Sequence, residues 1–246
     1  MGTGIRTRAF GACLVCGEPL IYRNEAQEMT CSFCGKSFPS HASCRQGHFI
    51  CDSCHAEKGL NAIMEECRQS RETDPFKLAE HMMENPYIYM HGPEHHVLVG
   101  AALITAFHHA GGKIDLGEAL EEMLRRGKAY PGGSCGFWGC CGAAVSTGMF
   151  MSVILKATPL TTQSWALSNE ITARTLQHIA ELGGPRCCKR NSFAAIQTAF
   201  AFVKERLGID MRIEGPIVCR FYEENRECKK KACPYHPVNH EDFTDV

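Results

Sequence analysis

Cysteine is the residue that most constrains how this chain can fold. Sixteen of the 246 residues are cysteine, and many stand in pairs separated by two residues. Exported proteins use dense cysteines as disulfides, whereas proteins of reducing compartments use paired cysteines for metal binding or redox chemistry. The N-terminus carries Arg6 and Arg8 without a long apolar core, which is not typical of a secretory signal. The sequence therefore predicts a cytoplasmic metalloprotein.

Residues 13–54 contain a dense set of potential zinc ligands. Two of the pairs have the form Cys-x-x-Cys-Gly, in which the turn directs both thiolates at one ion and the glycine lets backbone N–H groups approach the sulfurs. The number of thiolates and imidazoles matches two tetrahedral zinc ions, whose four protein ligands each leave no open position for chemistry. The predicted ligands are Cys13, Cys16, Cys31, Cys34, Cys44, His48, Cys51 and Cys54.

The sequence leaves the pairing of these ligands open. A sequential arrangement joins the first two Cys-x-x-Cys pairs in one site and the last four ligands in the other. An interleaved arrangement places Cys13 and Cys16 with Cys51 and Cys54. The stretch Gly-His-Phe-Ile-Cys-x-x-Cys resembles the middle of RING-type cross-braced modules, which favours interleaving slightly. A RING domain would need a further ligand pair downstream of Cys54, so ubiquitin-ligase activity is not expected.

The hydrophobic pattern changes to helical spacing near Leu60, and Asp74-Pro75 has the form of a helix start. The predicted fold is mainly α, with a ribbon or cross-brace zinc module over 1–58, a helical domain over 59–215 and a cysteine-rich metal-binding tail over 216–246. Further helices are predicted over 94–110, 115–127, 141–156, 164–182 and 191–207. Extended segments are predicted over 19–30, with a hairpin at 20–30, and over 211–219.

The run His91-Gly-Pro-Glu-His-His96 introduces polar groups at the start of a predicted helix. Consecutive helical residues point about 100° apart, so His95 and His96 do not easily face the same small site. Glu94, His95 or His96 could assist a pocket as acid, base or metal ligand. The alternative is helix capping and solvent exposure.

Cysteines also follow glycine turns at the starts of two predicted helices, where the helix dipole lowers a thiol pKa. If the two turns converge, these thiols could bind an iron–sulfur cluster or form a redox pair. The alternative is that they are buried and unreactive, as is expected for Cys67. The candidate catalytic cysteines are Cys135, Cys140, Cys141, Cys187 and Cys188.

The tail contains a third group of potential ligands, Cys219, Cys228 and Cys233, followed by His236. Three cysteines and one histidine would complete a closed zinc site. A cysteine followed by proline, as at Cys233, also occurs in ferredoxin-like cluster ligation. The spacing does not decide between zinc and an iron–sulfur cofactor.

The three runs His91–His96, Gly-Gly-Ser-Cys135-Gly-Phe-Trp-Gly-Cys-Cys141-Gly-Ala-Ala and Gly-Gly-Pro-Arg-Cys187-Cys188 resemble a family of anaerobic archaea and bacteria whose function is unknown. Members of that family occur alone or beside methyltransferase and radical-SAM-type modules, so the resemblance implies an anaerobic context and such a partner protein. A weaker similarity, carried by Cys141-Gly142-Ala143 and Gly148, is to redox-active proteins named for a C-GCAxxG-C-C pattern.

The hypothesis is a metal- and thiol-dependent protein of anaerobic metabolism, with redox, iron–sulfur or sulfur-transfer chemistry at a central Cys/His pocket. The alternative is a non-catalytic zinc-containing adaptor or maturation factor for a partner enzyme. A formal net charge of −1 disfavours nucleic-acid binding, which needs a concentrated positive field. A membrane-spanning segment is not expected, because no apolar stretch approaches the roughly 20 residues that one requires.

Overall fold

The computed structural model describes residues 13–240, and its N-terminal part is a two-stranded antiparallel ribbon. Strand β1 (Leu20–Thr30) pairs with β2 (Ser37–Cys44). The predicted hairpin within 20–30 is wrong, because this segment forms one strand. The chain reverses instead at the second Cys-x-x-Cys-Gly turn, where the Gly35 N–H donates to the Cys31 carbonyl at 2.9 Å.

Helices form the rest of the fold, which is mainly α as predicted. The helices are α1 (Asp52–Gln69), α2 (Pro75–Glu84), α3 (His95–His109), α4 (Leu116–Ala129), α5 (Ser134–Phe137), α6 (Gly142–Ile154), α7 (Gln163–Leu182) and α8 (Cys188–Leu207), with short 3-10 turns at Lys230–Ala232 and Pro237–Asn239. Helix α1 begins inside the predicted zinc module. The segment 211–219 contains no strand, since its backbone makes only isolated hydrogen bonds, such as Cys219 N–H to the Tyr235 carbonyl at 2.7 Å.

Helix α3 is the centre of the core because apolar residues surround it on every side. It packs against α1, α2, α4, α6 and α8, which together shield it from solvent. Ser146 ties α3 to α6: its hydroxyl accepts from the Gly100 N–H at 2.9 Å and donates to the His96 carbonyl at 2.6 Å. These two hydrogen bonds hold the N-terminal ends of α3 and α6 side by side.

The start of α2 confirms the predicted acidic cap. The Asp74 carboxylate accepts from the Phe76 N–H at 2.8 Å and from the Lys77 N–H at 3.2 Å, and Pro75 occupies the first turn. The second carboxylate oxygen of Asp74 accepts from the Glu214 N–H at 2.9 Å, so this buried side chain also anchors the segment after α8. Cys67 is fully buried on α1, as predicted.

Among the residues that the structure describes, no helix is both long enough and apolar enough to cross a membrane. The predicted N-terminal module and tail continue into residues 1–12 and 241–246. These segments, including Arg6 and Arg8 and the inference about a secretory signal, lie outside the described residues.

Candidate metal and thiol sites

The N-terminal ligands form two separate clusters. In each cluster, one potential ligand atom from every residue lies within 4.8 Å of the others. Metal group 1 consists of Cys13, Cys16, Cys44 and His48, and metal group 2 consists of Cys31, Cys34, Cys51 and Cys54.

The spacing within both groups suits a single tetrahedral ion. Zinc–sulfur bonds of about 2.3 Å in a tetrahedron place two thiolates roughly 3.8 Å apart. The sulfurs of Cys16 and Cys44 are 3.7 Å apart, and those of Cys34 and Cys51 are 3.9 Å apart. The His48 Nδ1 lies 3.5 Å from the Cys44 sulfur. The residues therefore fit zinc or a similar ion, which they would hold with no open coordination position.

Backbone N–H groups prepare some of these thiols for metal binding. Burial alone would raise the pKa of the Cys31 thiol, but hydrogen bonds from the N–H groups of Cys51, Cys34 and Phe33 lower it to about 6. The amide approach predicted for the Cys-x-x-Cys-Gly turns accounts for two of these donors. A thiol that ionises readily exchanges its proton for a metal ion at lower cost.

The structure contradicts both pairings considered from the sequence. The sequential arrangement is wrong because Cys31 and Cys34 do not share a group with Cys13 and Cys16. Interleaving is correct, but the partners of the first pair are Cys44 and His48 rather than the last two cysteines. The antiparallel ribbon explains this, since it pairs Leu20 with Cys44 and so brings the end of β2 beside the first turn. Four ligand pairs within 13–54 thus complete a crossed arrangement without a further pair downstream.

A second kind of cysteine cluster lies where the start of α8 meets the tail. We call it the tail thiol group: Cys187, Cys219, Cys228 and Cys233. These thiols line one partly open cavity, together with apolar, aromatic and charged side chains. Burial, together with the neighbouring thiols of the group, raises the pKa of Cys219 to about 12, against the lowering effect of a hydrogen bond from the Phe221 N–H. The predicted tail site therefore gains a fourth thiol, Cys187, from the helical domain.

Hydrogen-bond donors and cations surround the tail thiol group. The Asn225 amide and the Arg190 N–H each donate to the Cys187 sulfur at 3.4 Å, and the Lys230 N–H donates to the Cys228 sulfur at 3.4 Å. The buried Arg190 guanidinium donates to the carbonyls of Gly183 and Pro185, both at 2.8 Å. Such donors and positive charges stabilise thiolates.

The remaining candidate cysteines form the central thiol group: Cys135, Cys140, Cys141 and Cys188. Cys141 caps α6, and its sulfur accepts from the Asn191 amide of α8 at 3.4 Å. Burial, helped by the nearby Cys141 thiol, raises the pKa of the Cys188 thiol to about 12. A hydrogen bond from the Gly92 N–H and the charge of Arg186 act in the opposite direction. The five predicted catalytic cysteines are thus divided between two groups, because the adjacent Cys187 and Cys188 serve different ones.

The run 91–96 contacts each of these regions. The His91 Nε2 lies 3.3 Å from the Glu227 carboxylate of the tail. The Glu94 carboxylate accepts from the Tyr89 N–H at 3.0 Å and lies 3.6 Å from the His55 Nδ1, beside metal group 2. The His96 Nδ1 lies 3.1 Å from the Tyr130 carbonyl, next to the central thiol group. This run is therefore a hub that connects the three cysteine-rich regions.

Two glycines lie so close to side chains of the hub that no larger residue would fit in their place. A side chain at Gly92 would overlap the Glu94 carboxylate, and one at Gly142 would overlap the His96 ring. His95 and His96 point to different places, as helical geometry predicted: the His95 Nδ1 lies 3.1 Å from the Gly92 carbonyl. Burial and the nearby Lys189 charge lower the pKa of His95 to about 3, so its ring is neutral near pH 7.

Two residues of these sites were not identified from the sequence: Asn191 and Asn225, each of which donates to a thiol. The positive charge that Arg186 and Arg190 bring to the groups was expected, because both residues flank the adjacent cysteines in the sequence. An asparagine within four residues of a cysteine, as at Asn191 and Asn225, is the pattern that could have indicated them. His41 and His55, which belong to neither metal group, also have contacts: the His41 ring stacks on Phe137 with centroids 4.2 Å apart, and the His55 ring lies 4.7 Å from that of Tyr89.

No curated protein and no solved structure matches this chain. A protein-family model does match, over residues 63–236, a span that contains the hub and both thiol groups but none of the N-terminal ligands. That model covers more than half of the sequence and agrees with the resemblance to an uncharacterised family. The chain therefore belongs to the family of unknown function designated DUF5714.

Proposed function

We propose that the protein is an iron–sulfur redox protein whose tail thiol group holds a [4Fe–4S] cluster, and that metal groups 1 and 2 hold structural zinc. One observation carries the proposal: Cys187, at the start of α8, joins three tail cysteines around one largely apolar cavity. Four thiolates are the usual ligand set of such a cluster.

The spacing of the tail thiols supports a cluster over a single ion. Within residues 13–240, only metal groups 1 and 2 bring three or more metal-binding side chains within 4.8 Å of one another. No three of the tail thiols are therefore as close as zinc requires. Thiolates around a cluster stand further apart, because several irons and sulfides lie between them.

His236, the fourth ligand of the zinc site considered from the sequence, also lines this cavity, but its ring already has other contacts. Its Nδ1 accepts from the Val238 N–H at 3.3 Å, and its ring lies edge-on to Tyr222, with centroids 4.7 Å apart. A cysteine from outside the tail replaces it as the fourth ligand in this proposal. When bound, the cluster supplies one-electron transfer.

The protein's own residues would tune this centre. N–H donors to sulfur, as from Asn225 and Arg190, delocalise thiolate charge and raise a reduction potential. Burial raises the pKa of the Cys233 thiol, and the Tyr235 N–H and the positive charges of Arg190 and Lys229 oppose that rise. The apolar lining of Phe221 and Tyr235 limits water, which protects a cluster from hydrolysis.

The test is anaerobic purification followed by iron, acid-labile sulfide and zinc analysis on the same sample, with a visible spectrum. We expect zinc from both metal groups, iron and sulfide in equal amounts, and a broad absorbance near 400 nm that bleaches on reduction. In Cys219→Ser and Cys233→Ser, iron bound at this group should be lost while zinc is retained.

Cys67→Ala is the matched control. Cys67 is also a buried cysteine, but its sulfur contacts Met82 at 3.7 Å, away from the groups. It should keep the full iron content of the parent protein. Zinc without iron in the parent protein, after reconstitution with iron and sulfide, would contradict the proposal.

A second candidate is the adaptor role, which one surface feature favours. Between Cys135 and Cys140, the end of α5 exposes Phe137 and the next residue, Trp138, the latter with 66% of its surface accessible. Exposed aromatic side chains are common at protein-binding sites. A methyltransferase or radical-SAM-type partner stays a prediction, and so does an anaerobic cytoplasmic setting. Recovery of a stoichiometric partner from anaerobic extract, lost in Phe137→Ser/Trp138→Ser, would support this role.

A further inference from the structure

The central thiol group resembles the tail thiol group in construction. In both, a buried asparagine donates its amide to a cysteine sulfur at 3.4 Å: Asn191 to Cys141 and Asn225 to Cys187. In both, the acceptor cysteine is the N-cap of a helix, α6 or α8. Two sites with the same donor, the same kind of helix start and several thiols are expected to bind ligands of the same chemical class.

Three helices begin at the central thiol group. Cys141 precedes α6, Cys188 is the first residue of α8, and the Gly92 N–H just before α3 bonds to the Cys188 sulfur. The N-terminal ends of helices carry partial positive charge, and Arg186 adds a full charge. Together they favour an anionic occupant, such as a thiolate-ligated cluster.

The thiols are again too dispersed for one zinc ion. No three metal-binding side chains of the central group have ligand atoms within 4.8 Å of one another, since among residues 13–240 only the N-terminal groups meet that distance. Cys141 and Cys188 lie on neighbouring packed helices, and Cys135 interacts electrostatically with Cys141 and Arg186. Unpartnered polar atoms are buried in the adjoining hub, at the His95 Nε2 and the His91 Nδ1.

We infer that the central thiol group holds a second iron–sulfur cluster, with Cys135, Cys141 and Cys188 as ligands. This inference rests on the proposed function, because it extends the iron–sulfur assignment from one thiol group to both. The vicinal cysteines divide between the two: Cys187 ligates the tail cluster and Cys188 the central one. Adjacent Cα atoms are about 3.8 Å apart, so the two clusters would lie close enough for direct electron transfer.

Cys140 is not assigned as a ligand of this cluster. The Tyr130 hydroxyl donates to the Cys140 carbonyl at 2.9 Å and also interacts with its thiol. Three thiolates leave one iron without a cysteine ligand. The Arg186 charge beside this group would favour a small anionic molecule as the ligand of that iron.

The experiment uses the full chain, purified and reconstituted without oxygen, and compares Cys141→Ser and Cys188→Ser with Cys219→Ser and Cys233→Ser. Iron, sulfide and zinc are measured together with far-UV circular dichroism and the EPR spectrum of the reduced protein. We expect roughly eight irons in the parent protein and about half of them in each variant. The reduced parent protein should show spin–spin broadening between two nearby clusters, and each variant should show a single uncoupled cluster.

The outcomes separate the two proposals. Full iron in Cys141→Ser and Cys188→Ser, with iron lost only from the tail variants, overturns the second cluster and leaves the proposed function intact. Loss of all iron from both sets, with zinc and helicity retained, means one shared cluster and also overturns it. Iron absent from every protein overturns both proposals. Cys140→Ser and Cys67→Ala are the controls, and loss of iron in Cys140→Ser would overturn the assignment of three ligands.

Discussion

The N-terminal and helical parts of this molecule use the same residue in two different ways. In metal groups 1 and 2, sulfurs approach to 3.7 and 3.9 Å on a ribbon with tight turns. In the two thiol groups, cysteines come from helix starts and loops, and no three gather so closely within the described part of the chain. The difference teaches that the local backbone sets the distance between sulfurs, and among the described residues that distance suits one shared ion only in metal groups 1 and 2.

The largest expected effect is the loss of metal group 2. Structural zinc contributes roughly 10–16 kcal/mol in small domains, which a short ribbon cannot replace by burial. Cys31→Ser should therefore reduce the zinc content by one ion per chain and remove hydrogen-exchange protection from β1 and β2. Helices α3 and α8 should keep theirs. If exchange rises equally throughout the helices, the two regions are not independent in the way that this comparison requires.

The hub provides the next largest effect. Glu94→Ala removes the acceptor of the Tyr89 N–H and the neighbour of His55 from a fully buried position. Loss of a buried hydrogen-bonded partner costs about 1–3 kcal/mol in unfolding free energy. Glu94→Gln keeps an acceptor oxygen and should cost less. Denaturant unfolding measures both variants, and equal losses would show that the acceptor does not matter.

The buried His95 should make the helical part sensitive to acid. Its pKa is lowered to about 3, against about 6.5 in the unfolded chain. As pH falls below 6.5 the unfolded state binds the proton first, so stability decreases by about 1.4 kcal/mol per pH unit. Between pH 6.5 and 5 this amounts to roughly 2 kcal/mol.

His95→Asn keeps a donor for the Gly92 carbonyl but removes the titration, so its unfolding free energy should fall less between pH 6.5 and 5. Cysteine protonation affects both proteins equally and cancels in the difference. His81→Asn, at a histidine with 64% of its side chain exposed, is the control and should behave as the parent protein does. Parallel pH profiles for His95→Asn and the parent protein would contradict the assignment of a neutral buried ring.

The smallest effect is expected at Trp138, the exposed residue that follows α5. Trp138→Phe should change the unfolding free energy by less than about 0.5 kcal/mol, because the side chain is mostly in solvent. Metal content should be unchanged. A loss of more than about 1 kcal/mol would show that the loop is packed more tightly than its exposure indicates.

Sequence patterns predicted the secondary structure and the local ligand motifs better than the tertiary contacts between them. The ligand set of the N-terminal groups, the mainly α fold and the cap at Asp74 all depend on local spacing, which a sequence displays directly. The pairing of ligands depends on which strand lies beside β1, and the sequence does not show that partner. Cys187 and Cys188 belong to different thiol groups because of the way α6 and the tail pack against α8. Their adjacent positions in the sequence do not indicate this packing. Redox and catalytic roles stay predictions.

The order of ligands along the chain sets the order in which the groups can be completed during synthesis. Metal groups 1 and 2 are complete once residue 54 has been made, so they could take up an ion while the rest of the chain is still on the ribosome. The central group must wait for Cys188, and the tail group for Cys233, which follows the last α-helix of the described residues. Whatever fills the tail group must therefore be delivered to a molecule that has already folded most of its helices.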